Sequence, residues 1–223
     1  VSVARGLAPR ADEIRGEHGP MNAKPISRFP LPPVASLPED VHERIAQVRD
    51  KAGFVPNVFL ALAHRPAEWR AFFAYHDALM EVEPDARRTL TKAEREMIVV
   101  ATSGVNRCPY CVVAHGAILR VRAKNPTIAD QVAVNPLKAD LTSRERVMLE
   151  FALKVATDSA AIEEADYERL RAAGFTDDDA WDIVAITAFF AMSNRLANAA
   201  RIRPNDEFYL LGRIPKEKAA PGR

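Results

Sequence analysis

A chain of 223 residues, 48% hydrophobic and 27% charged, has the length for one well-filled core and the composition of an ordinary soluble globular protein. Its formal charge of +1 gives no electrostatic case for nucleic acid or an anionic membrane surface, and no apolar run is long enough to span a bilayer. Two cysteines are too few for a secreted disulfide scaffold; as a C-x-x-C pair they point to redox or metal chemistry in a reducing, cytoplasmic compartment.

Residues 1–24 contain Arg5, Arg10 and Arg15 but no apolar segment of the kind a secretory signal needs. They are expected to form a disordered or extended arm, and Met21 reads as a more natural start. Residues 25–223 are expected to form a single all-α domain. Pro25, Pro30, Pro32, Pro33 and Pro38 make its lead-in extended. Such a segment either lies across its own domain or a neighbouring subunit, or is a solvated linker.

Helical spacing of Val41, Ile45, Val48 and Ala52 predicts a first helix that Gly53 ends. Pro56 opens a short helix through Ala63. Pro66 opens the next, with Trp69, Phe72, Phe73, His76, Leu79 and Met80 on its apolar side, and Pro84 stops it. The aromatics read as core or subunit interface rather than a substrate clamp, and His64 and His76 as structural rather than as ligands. Thr91 and Glu94 form a T-x-x-E capping box at the start of a 92–105 helix. Within it Glu96 has no capping task and is flanked by Met97, Ile98, Val99 and Val100; such surroundings favour a protonated carboxyl, the condition of a general acid or base.

Cys108, Pro109, Tyr110 and Cys111 follow. Proline suits the first helical turn, so Cys108 is placed at the N-cap and Cys111 one turn in. Residues three and four apart share a helix face, which aligns Cys108, Cys111 and His115 along one edge. The partial positive charge of a helix N-terminus favours a thiolate, most strongly at Cys108, whereas His115 is nearer to Cys111. Farther on, Asn125-Pro126 and Asn135-Pro136 bracket a short helix, and Thr142 and Glu145 repeat the capping box ahead of a helix to residue 158 with Val147, Phe151 and Val155 inward. The alike segments LTKAERE and LTSRERV suggest a weak internal helical repeat. Another helix ends at Gly174. Thr176 caps a long run from Asp177 to about Arg201, whose apolar side is read as Trp181, Val184, Ala185, Ala188, Phe189, Met192 and Leu196. Asn194 and Arg195, beside this stripe, are candidates to pair with Glu96 or shape a pocket, with a solvated or interface role as the default. No alternating run reads as a strand.

Glu96, the Cys-Pro-Tyr-Cys motif and His115 together resemble the AhpD-like alkylhydroperoxidases of the carboxymuconolactone decarboxylase superfamily. From about Pro25 onward the chain is similar to the peroxidase-related branch, through GFVPNVFLALAHRP, AGFTDDDAW, FFAMSNRLANAARI and FYLLGR. The resemblance implies an all-α, AhpD-like helical bundle that assembles as a homo-oligomer. It also implies a thiol peroxidase without a cofactor, in which Cys111 attacks the hydroperoxide and Cys108 resolves the sulfenic acid to a disulfide. His115 would help ionise Cys111, Glu96 would pass protons, and an external dithiol of lipoyl or thioredoxin type would reduce the disulfide. One position departs from the better-studied members: Tyr110 stands where they carry a second histidine, and a phenol does not shuttle protons near neutral pH.

Two other readings use the same residues. A disulfide reductase or redox-sensing protein would cycle the cysteines without peroxide turnover. A metal-binding structural domain would use Cys108, Cys111 and His115 and needs a fourth ligand, from His64, His76 or a carboxylate. Lactone decarboxylation, which the superfamily's name suggests, has no use for a redox cysteine pair.

Overall fold

A computed structural model describes residues 24–213, and the expected N-terminal arm lies almost wholly outside them. The described residues form ten α-helices and contain no strand. In chain order these are α1 (Glu39–Ala52), α2 (Asn57–Leu62), α3 (Pro66–Met80), α4 (Lys92–Val105), α5 (Pro109–Ala123), α6 (Ile128–Val134), α7 (Ser143–Asp158), α8 (Glu164–Ala172), α9 (Asp177–Ala199) and α10 (Glu207–Leu210). No helix among the described residues is long and apolar enough to cross a membrane.

The helix starts follow from local chemistry. Thr91 Oγ1 accepts the Glu94 N–H at 3.1 Å, while Glu94 Oε2 accepts the Thr91 N–H at 2.8 Å. Thr142 and Glu145 do the same at 3.2 and 2.8 Å, and Thr176 with Asp179 makes a third box at 3.0 and 2.9 Å. Each box satisfies two N–H groups that a helix start otherwise leaves unpaired. Gly53, at φ 84°, ends α1 in the left-handed conformation that costs a residue with a Cβ most.

Helix α4 is the axis of the fold. Residues 94–103 are all buried, and the helix packs against α5, α6, α7 and α9. A helix apolar on every side belongs inside a core, and this one also buries Arg95 and Glu96. Against α6 its backbone comes so close that a Cβ on Gly104 would meet the Ala133 carbonyl oxygen at 2.5 Å. Arg95 donates to Asp182 of α9 at 2.6 Å and to the Leu79 carbonyl at 2.8 Å, pinning α3, α4 and α9 together.

The proline-rich lead-in lies on its own chain. Arg28 N–H donates to the Ala200 carbonyl at 2.7 Å and Arg203 N–H to the Ile26 carbonyl at 3.0 Å. The orientation of α9 differs from the sequence reading. Its core face is Ile183, Ile186, Thr187, Phe190, Ser193, Asn194 and Ala197, along with Ala185 and Phe189. Trp181, Met192 and Leu196 face outward, Trp181 being 71% exposed. Both stripes have helical period, and the ion pair at Asp182 together with polar Asn194 selects the one that faces α4.

Candidate active site

The turn joining α4 to α5 sets the site. Arg107 takes a left-handed conformation, φ 52°, and the Cys108 N–H donates to the Ser103 carbonyl at 3.0 Å. Cys108 is then the N-cap of α5 and Pro109 its first residue, as the spacing predicts; the Cys108 sulfur accepts the Cys111 N–H at 3.5 Å. The cysteines are not joined by a disulfide and both are buried, 1% and 2% exposed, among Tyr110, Ala114, Ala117, Ala61, Ala197, Ile202 and Phe208.

The two sulfurs shift each other's ionisation in opposite directions. The Cys111 thiol donates to Cys108, and this hydrogen bond, with the N–H groups of Cys111 and Tyr110 and the Asn194 side chain, outweighs burial and lowers the Cys108 pKa to about 7. The same interaction, together with burial and the neighbouring charge, raises that of Cys111 well above the ordinary thiol value. Both shifts favour ionisation at Cys108 over Cys111.

Glu96 and His115 are brought together. Helices α4 and α5 run back to back from the turn, with Glu96 in the first half of α4 and His115 near the middle of α5. His115 Nδ1 is 2.8 Å from Glu96 Oε2, with the Glu96 side chain buried and that of His115 mostly so. An Nδ1–H donated to the carboxylate leaves Nε2 as the basic nitrogen. The Glu96 head is not in the apolar surroundings its sequence neighbours suggest: Arg122 Nη1 lies 3.1 Å from Oε1, and Arg122 Nη2 donates to Glu81. Arg122 is not among the candidates read from the sequence, although it follows His115 by two turns on the same face of α5, and that spacing is the available signal. His115 also packs edge-on to Phe190, at 4.7 Å between ring centres, and lies 6.2 Å from His76. It makes no hydrogen bond to either sulfur among the described residues.

Tyr110 points its hydroxyl at the backbone, where it accepts the Val58 N–H at 3.2 Å, and burial raises its pKa, so its proton stays in place. It ties α2 to the cysteine helix. His64 lies at the surface, bonded to the Ala61 carbonyl and stacked on Phe29, and His76 is bonded to Asp77. Among the described residues no three His, Cys, Asp or Glu side chains gather as metal ligands. Asn194 is fully buried against the cysteine turn rather than solvated, and Arg195 is exposed, bonded to the Ala191 carbonyl; neither pairs with Glu96. A surface cavity of about 420 Å³, lined by Tyr75, Leu79, Arg87, Arg88, Trp181 and Asp182 among others, does not border the cysteines.

The carboxymuconolactone decarboxylase family matches residues 66–135, which span α3 to α6 and hold the site. A structure of an AhpD-core, peroxidase-related protein from Ralstonia eutropha JMP134 is 66% identical, covers 87% of this chain and 100% of that one, and superimposes with a TM-score of 0.84. The chain belongs to the AhpD-like, peroxidase-related branch of the carboxymuconolactone decarboxylase superfamily. A second peroxidase-related protein of this branch, from Silicibacter sp. TM1040, is 41% identical over 87% of this chain and 100% of its own, with a TM-score of 0.79. The debrominase Bmp8 shares the AhpD-like fold alone, at 18% identity over 84% of this chain and 95% of its own, with a TM-score of 0.64. No curated protein matches the chain.

Proposed function

We propose that the protein is a thiol-dependent peroxidase that reduces a hydroperoxide through a Cys108–Cys111 dithiol/disulfide cycle. The observation that carries this reading is the buried, unbridged cysteine pair at a helix start, one turn before an imidazole hydrogen-bonded to a buried carboxylate. In the assignment the family resemblance implies, Cys111 is the attacking sulfur, Cys108 the resolving one, and His115 helps to ionise Cys111. The Cys111 proton leaves to solvent water by way of His115, and the Cys111 thiolate attacks the terminal peroxide oxygen. The O–O bond breaks, Cys111 becomes a sulfenic acid, and the departing alkoxide takes a proton from solvent water, relayed through His115. The Cys108 thiol then condenses with the sulfenic acid, releasing water and leaving a disulfide. An external dithiol returns two electrons and two protons by exchange.

Glu96 serves by fixing the His115 tautomer and balancing the imidazolium. Arg122 holds the other carboxylate oxygen.

The test is peroxide-dependent oxidation of added dihydrolipoamide or dithiothreitol, with hydrogen peroxide and cumene hydroperoxide as oxidants. The protein is expected to form the intramolecular disulfide on peroxide addition and to turn over. Exchange with disulfides at full rate but no dependence on peroxide would replace this reading with that of a disulfide reductase. Glu96→Gln is expected to lower peroxide turnover by about 10²-fold, the scale of a lost acid–base partner, while leaving reduction of the disulfide by dithiol near its original rate.

A further inference from the structure

Glu96 has one partner more than a relay through His115 requires. Its side chain is buried and both carboxylate oxygens are taken, Oε2 by His115 Nδ1 at 2.8 Å and Oε1 by Arg122 Nη1 at 3.1 Å. His115 and Arg122 stand two turns apart on α5, roughly 10 Å along the axis at 1.5 Å per residue, and the carboxylate of α4 bridges them. The two partners differ in kind. An imidazole gains and loses a proton near neutral pH, whereas a guanidinium is always charged. Arg122 Nη1 is buried and makes no well-aligned hydrogen bond, so its contact acts on Glu96 by charge rather than by a directed bond. Nη2 donates at 2.8 Å to Glu81, a half-exposed carboxylate just past the end of α3, which Lys92 of α4 approaches at 3.9 Å. The remaining titratable group that faces the pair is His76 of α3; it is bonded to Asp77, which Arg44 of α1 holds in turn, while α9 presents the uncharged ring of Phe190.

We propose that Arg122 is a positioning residue for the proton relay: its permanent charge holds Glu96 as a carboxylate and so lets His115 release a proton as readily as it takes one. A buried carboxylate needs a counter-charge. With His115 as its only partner, Glu96 would meet that need by keeping a proton within the pair, and a pair that keeps its proton cannot hand one on. Arg122 meets the need whether His115 is charged or neutral. Glu81 anchors the outer side of the guanidinium and leaves Nη1 turned toward Glu96. Removing the positive charge therefore raises the proton affinity of the Glu96–His115 pair, and a lysine, which keeps the charge without the planar fork, largely preserves it.

This inference rests on the relay reading of Glu96 and His115 above, but its test needs no peroxide. The readout is the NMR titration of the His115 ring, in a protein with Cys108→Ser and Cys111→Ser so that no thiol titrates alongside. The chain has five histidines, and the His115 signal is the one lost in His115→Gln. In Arg122→Met the His115 midpoint is expected to rise by roughly 1–2 pH units, the scale on which a neighbouring unit charge acts. In Arg122→Lys it stays near that of the parent. A clamp that merely joined α4 to α5 would lower the urea midpoint of both variants and move neither titration. An unchanged His115 midpoint in Arg122→Met overturns the proposal, and so does a rise as large in Arg122→Lys; should Arg122→Met not fold, Arg122→Gln is read by the same two criteria. Absence of peroxide turnover in wild type would instead defeat the peroxidase reading and leave this titration standing.

Discussion

Serine at Cys111 is expected to abolish peroxide turnover, by at least about 10³-fold, the scale on which loss of a covalent nucleophile is felt. Serine at Cys108 is expected to abolish it too, but to leave the first chemical step intact. The Cys108→Ser protein should consume one equivalent of peroxide and stop as a sulfenic acid, because nothing remains to condense with it. A dimedone-type probe should then label Cys108→Ser and not Cys111→Ser. The physical basis is the coupling between the two sulfurs. In the intact pair Cys108 is the largest cause that raises the Cys111 pKa. Removing the Cys108 sulfur removes both that hydrogen bond and that charge, so Cys111 ionises more readily in Cys108→Ser than in wild type, and a single fast peroxide reaction survives. Labelling of Cys111→Ser alone would reverse the roles, making the more readily ionised sulfur the one that attacks.

How much of this is legible in the sequence depends on how local the cause is. The start of α5 is written in Cys108 and Pro109, and the capping boxes in T-x-x-E; each needs only residues within one turn, and the structure matches them. The Glu96–His115 pair is less local, yet two helices running back to back from one tight turn bring residues two or so turns to either side of it within reach, so it too can be anticipated. Arg122 and Asn194 cannot be assigned in the same way. Arg122 sits on a readable face, but its partner depends on which side of α4 that face meets. Asn194 depends on the rotation of α9, and there the hydropathy pattern misleads: Trp181, Met192 and Leu196 form as good a stripe as Ile183, Ile186 and Phe190. What decides between them is polar. Asp182 meets Arg95 and Asn194 meets Ser103 and Asn106, contacts between elements far apart in the chain.

That polar decision predicts the largest stability effect. Asp182→Ala is expected to cost about 3–5 kcal/mol, measured by urea denaturation, because it leaves a buried guanidinium without its counter-charge. Arg95 is completely buried and Asp182 nearly so; the carboxylate accepts from Arg95 at 2.6 Å and from both Arg88 Nη2 and Nε, at 2.7 and 2.9 Å. Arg88 can follow water when the carboxylate goes, being at the edge of the fold, but Arg95 cannot. Replacing both partners, as Arg95→Met with Asp182→Leu, should recover much of the loss, since the cost comes from stranding one charge rather than from lost attraction. Asp40→Ala, which breaks the exposed pair with Arg70, should change stability far less. The double variant also separates stability from register. Arg95 immediately precedes Glu96, and Asp182 lies on the helix that carries Phe190, the ring beside His115. If the ion pair also aligns α4 with α9, the double variant will be stable and yet show a displaced His115 titration; if packing alone aligns them, stability and titration will return together.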